Sequence, residues 1–310
     1  MKNRVGEKLK KILITGALGF IGMSLSKYHS QKGYKVYGIG HGKLNDENEI
    51  NIFVKWVEGD ITLENILRFN EKFDIIVHCG GSGSVGASIE KPYQDFKKTV
   101  EGTAEVLEYI RKYNSNAHLI YPSSPAVQGE CQDTPIKESY VGKPCSPYGY
   151  HKRMAEDLCR SYYERYNIKI SIIRLFSVYG EGLKKQLLWD ACQKMITDKD
   201  EVLFFGTGEE TRDFIHVDDV IQIIERVIKK SPQFEVYNGG TGNRTSIEEL
   251  VMLIKKELRV EVDINFNNEV NVGNPIYYLA DVTKLNELQV SPKIELEEGI
   301  RRYCEWIKSM

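Results

Sequence analysis

The sequence predicts an α/β fold built on a doubly wound parallel sheet, with a smaller lobe after about residue 180. Three observations carry this. Short β-rich runs alternate with longer amphipathic stretches through the first two-thirds of the chain, the pattern of βαβ units. The strand runs are almost continuously apolar, as expected where helices cover both faces of a sheet. The first run leads straight into a glycine-rich turn, Gly16-Ala17-Leu18-Gly19-Phe20-Ile21-Gly22.

Each element follows from its residues. Strand candidates are KKILITG (10–16), KVYGIG (35–40), VKWVEGD (54–60), DIIVHCGG (74–81), HLIYPSS (118–124) and IKISIIRLF (168–176). Amphipathic helical stretches near 20–32, 62–70, 91–113 and 147–166 separate them. Past residue 180 come a helix near 183–198, a short strand EVLFF (201–205) and a helix near 217–230. The turn Gly239-Gly240-Thr241-Gly242 and a helix from Ser246 follow, and Ser246 with Glu249 three residues later fits a capping box. The expected division is 1–180 and 181–310, with some late segments free to return to the sheet.

Composition narrows the function. At 310 residues and 41% hydrophobic content the chain can bury a real core. A net charge of −2 argues against a nucleic-acid surface or a polybasic membrane patch. The basic start MKNRVGEKLKK precedes an apolar stretch, Ile12 to Ile21, in the manner of a signal peptide. That stretch holds two glycines and a threonine and runs into the glycine turn, so it reads as the first strand. No run reaches the roughly 20 apolar residues of a membrane span. Six scattered cysteines without a CxxC pair fit structural thiols in a reducing cytoplasm, and the histidines show no metal-ligand spacing. The expectation is a cytoplasmic enzyme with no metal, no nucleic-acid partner and no membrane contact.

The glycine turn points to a dinucleotide. Gly16 allows a tight turn, Gly19 lets backbone approach a pyrophosphate, and Gly22 permits close helix–sheet packing. The following helix N-terminus offers free N–H groups to the anion. The spacing is GxxGxxG rather than GxGxxG, and the alternative is an ordinary flexible turn. The acidic residue that usually bonds the adenosine ribose is replaced at the end of the second strand by Gly40, with Asp46 too far along. His41 and Lys43 could meet a 2′-phosphate, but no arginine is present for a bidentate clamp. NAD and NADP both stay open. Asp60 and Ile61, after the third strand, are placed to touch the adenine.

Tyr148 and Lys152, in SPYGYHK, share a helix face at i and i+4. A tyrosine with an ordinary pKa near 10 becomes a usable base when an ammonium and a cationic nicotinamide stabilise its phenolate. The alternative is a surface i,i+4 pair. Ser123 and Ser124, at the carboxyl end of a strand, add a hydroxyl that could orient a reacting oxygen; their alternative is a turn or a helix cap.

These residues, with ITGALGFIG, EGDIT, VHCGGSGSVGASIEKP, EGTAEVLE, YPSSPAVQGE, RLFSVYG and TRDFIHVDDV, resemble the extended short-chain dehydrogenase/reductases. The branch they resemble is the nucleotide-sugar epimerase/dehydratase family typified by UDP-galactose 4-epimerase. The matches run in order from residue 12 to about 220, with a weaker echo, YYLADVTKL, near 285. The resemblance implies a Rossmann-type domain over 1–180 and a nucleotide-sugar-binding lobe over 181–310. It implies Tyr148 as base, Lys152 as its modulator and Ser124 as the hydroxyl that orients the substrate. The implied cofactor contacts are Gly16, Gly19, Phe20, Ile21, Gly22, His41, Asp60, Ile61, Gly80, Gly81, Ser82, Thr99 and Ser123, with Tyr148 and Lys152. Ser84, Val85, Ser124, Ser177 and Arg212 would face the sugar nucleotide, Arg212 gripping the diphosphate. The alternative for Arg212 is an ion pair with Asp213 or Glu210. A homodimer or larger homo-oligomer is implied, with helices 91–113 and 147–166 as its interface.

The pattern breaks at four places. Pro125-Ala126 stand where 4,6-dehydratases carry Asp-Glu, and eliminating water needs an acid and a base there. Ser177 replaces the family asparagine, Asn271 and Asn274 replace an arginine and an aspartate, and Gln128 replaces a tyrosine. Lys184 and Lys185 could restore lost positive charge, or belong to a solvated helix start. The expected activity is NAD(P)-dependent oxidation at C4 of a nucleotide sugar, as a 4-epimerase or 4-dehydrogenase. An NADPH-dependent 4-ketoreductase is the first alternative, and a non-catalytic dinucleotide-binding regulator the second.

Overall fold

The computed structural model describes residues 9–44, 47–129, 131, 133–197, 200–269 and 275–310. Asp46, Asn271 and Asn274 lie outside the described residues. The chain opens with β1 (Lys11–Thr15), α1 (Phe20–Gln31), β2 (Lys35–Gly40), α2 (Glu47–Ile50), β3 (Lys55–Glu58), α3 (Leu63–Leu67) and β4 (Ile75–His78). Next come α4 (Val85–Glu90), α5 (Pro92–Phe96), a π turn (Lys97–Glu101), α6 (Gly102–Tyr113), β5 (His118–Ser123) and a 3₁₀ turn (Pro125–Val127). The middle of the chain forms α7 (Pro147–Tyr166), β6 (Lys169–Leu175), β7 (Ser177–Tyr179), α8 (Gln186–Thr197), β8 (Glu201–Phe204), β9 (Thr211–Arg212) and β10 (Phe214–His216). It ends with α9 (Val217–Lys230), β11 (Phe234–Gly239), β12 (Thr245–Ser246), α10 (Ile247–Leu258), β13 (Asp263–Phe266), α11 (Thr283–Glu287) and α12 (Leu296–Lys308).

Seven strands form the main sheet in the order β11-β6-β5-β4-β1-β2-β3. The pairings β3–β2, β2–β1, β1–β4 and β4–β5 are parallel. The predicted fold class is therefore the observed one, and its six strand candidates are six of the seven strands. Apolar runs explain the placement: Ile12, Leu13, Ile14, Ile76, Val77, Leu119 and Ile120 are fully buried. The order reverses between β1's two neighbours, β2 and β4. At such a switch point the crevice outside the carboxyl ends of the strands receives a ligand.

By density of contact the chain falls into two compact units. Unit 1 is Met1–Pro122, His151–Ile172 and Val227–Glu235, and unit 2 is Ser123–Tyr150, Ile173–Arg226 and Val236–Met310. Unit 2 contains three two-stranded pairs, β7 with β10, β8 with β13 and β9 with β12, besides helices α8, α10 and α12, with α10 packed against both others. Ser246 and Glu249 form the full capping box at the start of α10. Among the described residues no helix is long and apolar enough to cross a membrane.

Candidate active site

The chemistry-bearing residues gather in two clusters, one in each unit. In unit 1 the glycine turn leaves β1 with Gly16 at φ +62, and a Cβ there would sit 2.9 Å from the backbone of Cys79 and Gly80. Only glycine combines that left-handed backbone with that approach. Gly19 is the N-cap of α1 and gives no side-chain cap, while Phe20 and Ile21 open the helix. The first-turn N–H groups of a 12-residue helix are thus left for an anion. This cradle fits a dinucleotide pyrophosphate.

The turn after β4 is tied down beside it. Gly80 N donates to Thr15 Oγ1 at 3.0 Å and Ser82 N to Thr99 Oγ1 at 3.3 Å, while Ile61 lies directly over Gly80. Beneath it is a buried polar chain. His78 meets Thr15 Oγ1 through Nδ1 at 2.7 Å and Thr103 Oγ1 through Nε2 at 3.2 Å, and Thr103 donates onward to the Thr99 carbonyl. That last donation leaves Thr103 Oγ1 to accept from Nε2–H and makes Nδ1 the acceptor of the Thr15 hydroxyl. Burial, reinforced by Lys152, pushes His78 down to about 3, so its ring stays neutral. At the ends of β2 and β3 the exposed His41 and Asp60 meet at 2.9 Å, Nε2 to Oδ1. Ser84 caps α4, its Oγ accepting from Ala87 N at 3.2 Å, and Val85 is the first residue of that helix.

Lys152 is almost fully buried on α7. Its Nζ donates to the Pro122 carbonyl at 3.0 Å and lies 4.8 Å from the centroid of the Tyr121 ring, which stacks on His78. Burial drives Lys152 down from 10.5 to about 8, against the fields of the carboxylates Glu156 and Asp95. A lysine so poised holds its charge weakly near neutral pH, the condition for a group that tunes a neighbouring base. Tyr148 stands one turn earlier on the same helix.

In unit 2, Ser124 Oγ accepts from Ala126 N at 3.2 Å, capping the 3₁₀ turn in which Pro125 takes the first position. A Cβ on Gly149 would lie 2.5 Å from the Ala126 carbonyl oxygen, so the first turn of α7 rests directly on the Ser124 turn. That contact brings Ser124 and Tyr148 into one region. Tyr278 packs on the buried cluster of Cys131, Ile136, Phe176 and Ala280, and burial pushes its hydroxyl up while Arg212 pulls it down. The sequence pattern YYLAD contains Tyr278, but nothing in it singled this residue out.

The guanidinium of Arg212 lies 5.6 Å from the Tyr278 ring centroid and donates to the carbonyls of Thr211 and Ile276 at 2.7 and 3.1 Å. Neither neighbouring carboxylate forms an ion pair with it, although the field of Glu210 favours its charge. Asp213 accepts from Thr241, Gly242 and Ala280, and Glu210 from the N–H groups of Thr207 and Gly208. Those bonds to neutral groups leave the Arg212 charge available to an anion. Ser177 opens β7, its N–H donating to the Asp213 carbonyl at 2.9 Å. Gln128 turns out to be a structural pin, its Nε2 donating to the carbonyls of Lys137 and Tyr140. Lys184 packs over the Trp306 ring. Among the described residues no cluster of His, Cys, Asp or Glu is arranged to hold a metal ion.

Comparison with known proteins gives this arrangement a lineage. A model of the "NAD dependent epimerase/dehydratase family" matches residues 12–240. The chain belongs to this family. A putative UDP-glucose 4-epimerase of Methanocaldococcus jannaschii is 31% identical, over 96% of this chain and 98% of its own length. The crystal structure of UDP-glucuronic acid 4-epimerase from Bacillus cereus, in complex with UDP-glucuronic acid and NAD, is 28% identical with a TM-score of 0.85. It covers 96% of this chain and 99% of that one. The UDP-N-acetylglucosamine 4-epimerase of Methanobrevibacter ruminantium M1, in complex with UDP-N-acetylmuramic acid, is 26% identical with a TM-score of 0.87, covering 98% and 99%. Epimerase family membership accounts for the order of the motifs and for the switch-point cradle at β1 and β4.

Proposed function

We propose that this protein is a nucleotide-sugar 4-epimerase acting on a UDP-linked hexose or hexose derivative, with NAD retained through the cycle. The observation that carries this is the pairing of Tyr148 and Lys152 on α7, whose first turn rests on the Ser124 turn. Bound NAD would supply the hydride acceptor and donor. Tyr148, as phenolate, takes the proton of the C4 hydroxyl while the C4–H electron pair leaves the sugar, and Ser124 hydrogen-bonds the same oxygen. Return of the proton from Tyr148 to the ketone oxygen, after the sugar has presented its other face, completes an inversion with no net oxidation. Lys152 favours the phenolate. Arg212 holds the diphosphate, and Ser84, Val85 and Ser177 border the sugar nucleotide.

Gly16, Gly19, Phe20, Ile21 and Gly22 would hold the pyrophosphate, with Gly80, Gly81, Ser82, Thr99 and Ser123 along the nicotinamide half. His41, Asp60 and Ile61 would border the adenosine. The Asp60 carboxylate beside His41 favours ribose hydroxyls and repels a 2′-phosphate, which supports NAD over NADP. In functional terms residues 1–180 bind the dinucleotide and 181–310 mainly the nucleotide sugar. Dehydration is not part of this reading, because Pro125 and Ala126 provide neither acid nor base. A cytoplasmic homodimer joined through the 91–113 and 147–166 helices fits the exposed Tyr113, Met154 and Tyr166, and sedimentation velocity tests it.

The experiment is C4 interconversion of UDP-glucose, UDP-glucuronate and UDP-N-acetylglucosamine, followed by proton NMR without added cofactor. Tyr148→Phe is expected to retain NAD, measured after denaturation, while losing turnover by roughly 10²- to 10⁴-fold. Full turnover by Tyr148→Phe would sink the mechanism.

A further inference from the structure

We propose that Asp95 and His151 form a positioning pair that holds Lys152 in its ammonium form on α7. This deepens the reading above and rests on it for what Lys152 does. His151 immediately precedes Lys152, and its Nδ1 meets Asp95 Oδ2 at 2.5 Å across 56 positions of sequence. The carboxylate is nearly sealed from solvent, with a side-chain exposure of 2%, and the imidazole is 12% exposed. Asp95 Oδ1 is buried with no hydrogen-bond partner. A buried carboxylate with an unmatched oxygen costs free energy. The Phe96 ring meets the imidazole edge-on at 5.6 Å, closing the pair from that side.

The groups that face Lys152 leave few sources of negative charge. They are His78 of β4 and Cys79 just after it, Tyr121 of β5, Asp95 of α5, and Glu156 and Cys159 of α7 itself. Burial keeps His78 neutral, pushes the Cys79 thiol up to about 12 and pushes Cys159 higher still, so none of the three is charged near neutral pH. The carboxylates of Asp95 and Glu156 remain to oppose the desolvation of the ammonium. Asp95 is engaged by His151 rather than by Lys152, whose Nζ donates to Pro122. The imidazole thus fixes the carboxylate as a field source without letting it seize the ammonium in a direct ion pair.

The test reads Lys152 directly. Protein labelled with ¹³Cε-lysine is titrated by NMR, the Lys152 resonance being assigned by its loss in Lys152→Arg. Asp95→Asn is expected to lower the Lys152 midpoint by on the order of one pH unit, because an opposite charge nearby has gone. His151→Gln, which keeps an N–H donor and leaves the carboxylate in place, is expected not to lower it. Asp95→Glu keeps the charge and should hold the midpoint near wild type, which covers the case in which Asp95→Asn does not fold. An unchanged midpoint in Asp95→Asn, or a fall of equal size in all three variants, overturns the proposal. The alkaline limb of kcat/KM should move with the midpoint. The titration needs no substrate, so absence of epimerase turnover in the wild type would overturn the reaction alone.

Discussion

Replacing Lys152 by methionine should make the protein more stable at pH 7 while abolishing its chemistry. Lys152 falls from 10.5 to about 8 on folding, chiefly through burial, and at about 1.4 kcal/mol per unit this is a cost of about 3 kcal/mol. Methionine fills a similar volume without that charge. Against this stands the lost bond from Nζ to the buried Pro122 carbonyl, worth about 1–2 kcal/mol. The net expectation is a gain of about 1–2 kcal/mol at pH 7. The folded chain binds this proton more weakly than the unfolded one, so wild-type stability rises with pH between about 8 and 10.5. The advantage of Lys152→Met should therefore shrink through that window and reverse by its upper end, where only the lost bond to Pro122, worth about 1–2 kcal/mol, remains. Urea denaturation of cofactor-stripped protein, followed by tryptophan fluorescence at neutral and alkaline pH, measures both quantities. A Lys152→Met variant less stable at pH 7, with a gap unaltered by pH, would refute the reasoning.

Other outcomes follow from the same geometry. Arg212→Ala should raise KM for a UDP-sugar by roughly 10- to 100-fold with a smaller change in kcat, as loss of charge-assisted bonds to a diphosphate requires; steady-state kinetics decide it. Gly149→Ala drives a methyl to 2.5 Å from the Ala126 oxygen, and should cost about 1–3 kcal/mol in denaturant melts while depressing kcat by displacing the Ser124 turn. Asp60→Ser should narrow the preference for NAD over NADP by about fivefold in binding titrations, a modest change because the His41–Asp60 pair is exposed.

Much of the fold was legible because its signals are local and periodic. The buried strands are nearly unbroken apolar runs, and the long α7 occupies the span 147–166 that its amphipathic pattern marks. Elements held by distant partners left no such trace. β7 and β10 have three residues each, too few to show a period, and they exist because they pair with one another. β11 supplies the seventh strand of the sheet from a segment, FEVYNG, with little apolar continuity. The same limit applies at the site. The spacing of Tyr148 and Lys152 is readable on one helix, whereas the packing of Tyr278 on Phe176 and the approach of Asp95 to His151 depend on tertiary structure. Arg212 shows the limit from the other side. Its flanking acids look like partners in sequence, but their carboxylates are taken by backbone N–H groups and a threonine hydroxyl.

The π turn at Lys97–Glu101 makes the residue count between α5 and α6 a functional quantity. Gly102 N–H reaches back to the Lys97 carbonyl, five residues away, where an α-helix would span four. On one side of this wide turn Asp95 meets His151; within it and beyond it, Thr99 and Thr103 engage Ser82 and His78. Removing one residue from 96–98 without closing this wide turn to a regular one would rotate Asp95 by about 100° relative to Thr99. Both sets of contacts could not then be kept. Along this stretch, length drift should be tolerated far less well than substitution, and relatives that differ by one residue here must have rebuilt one of the two contacts.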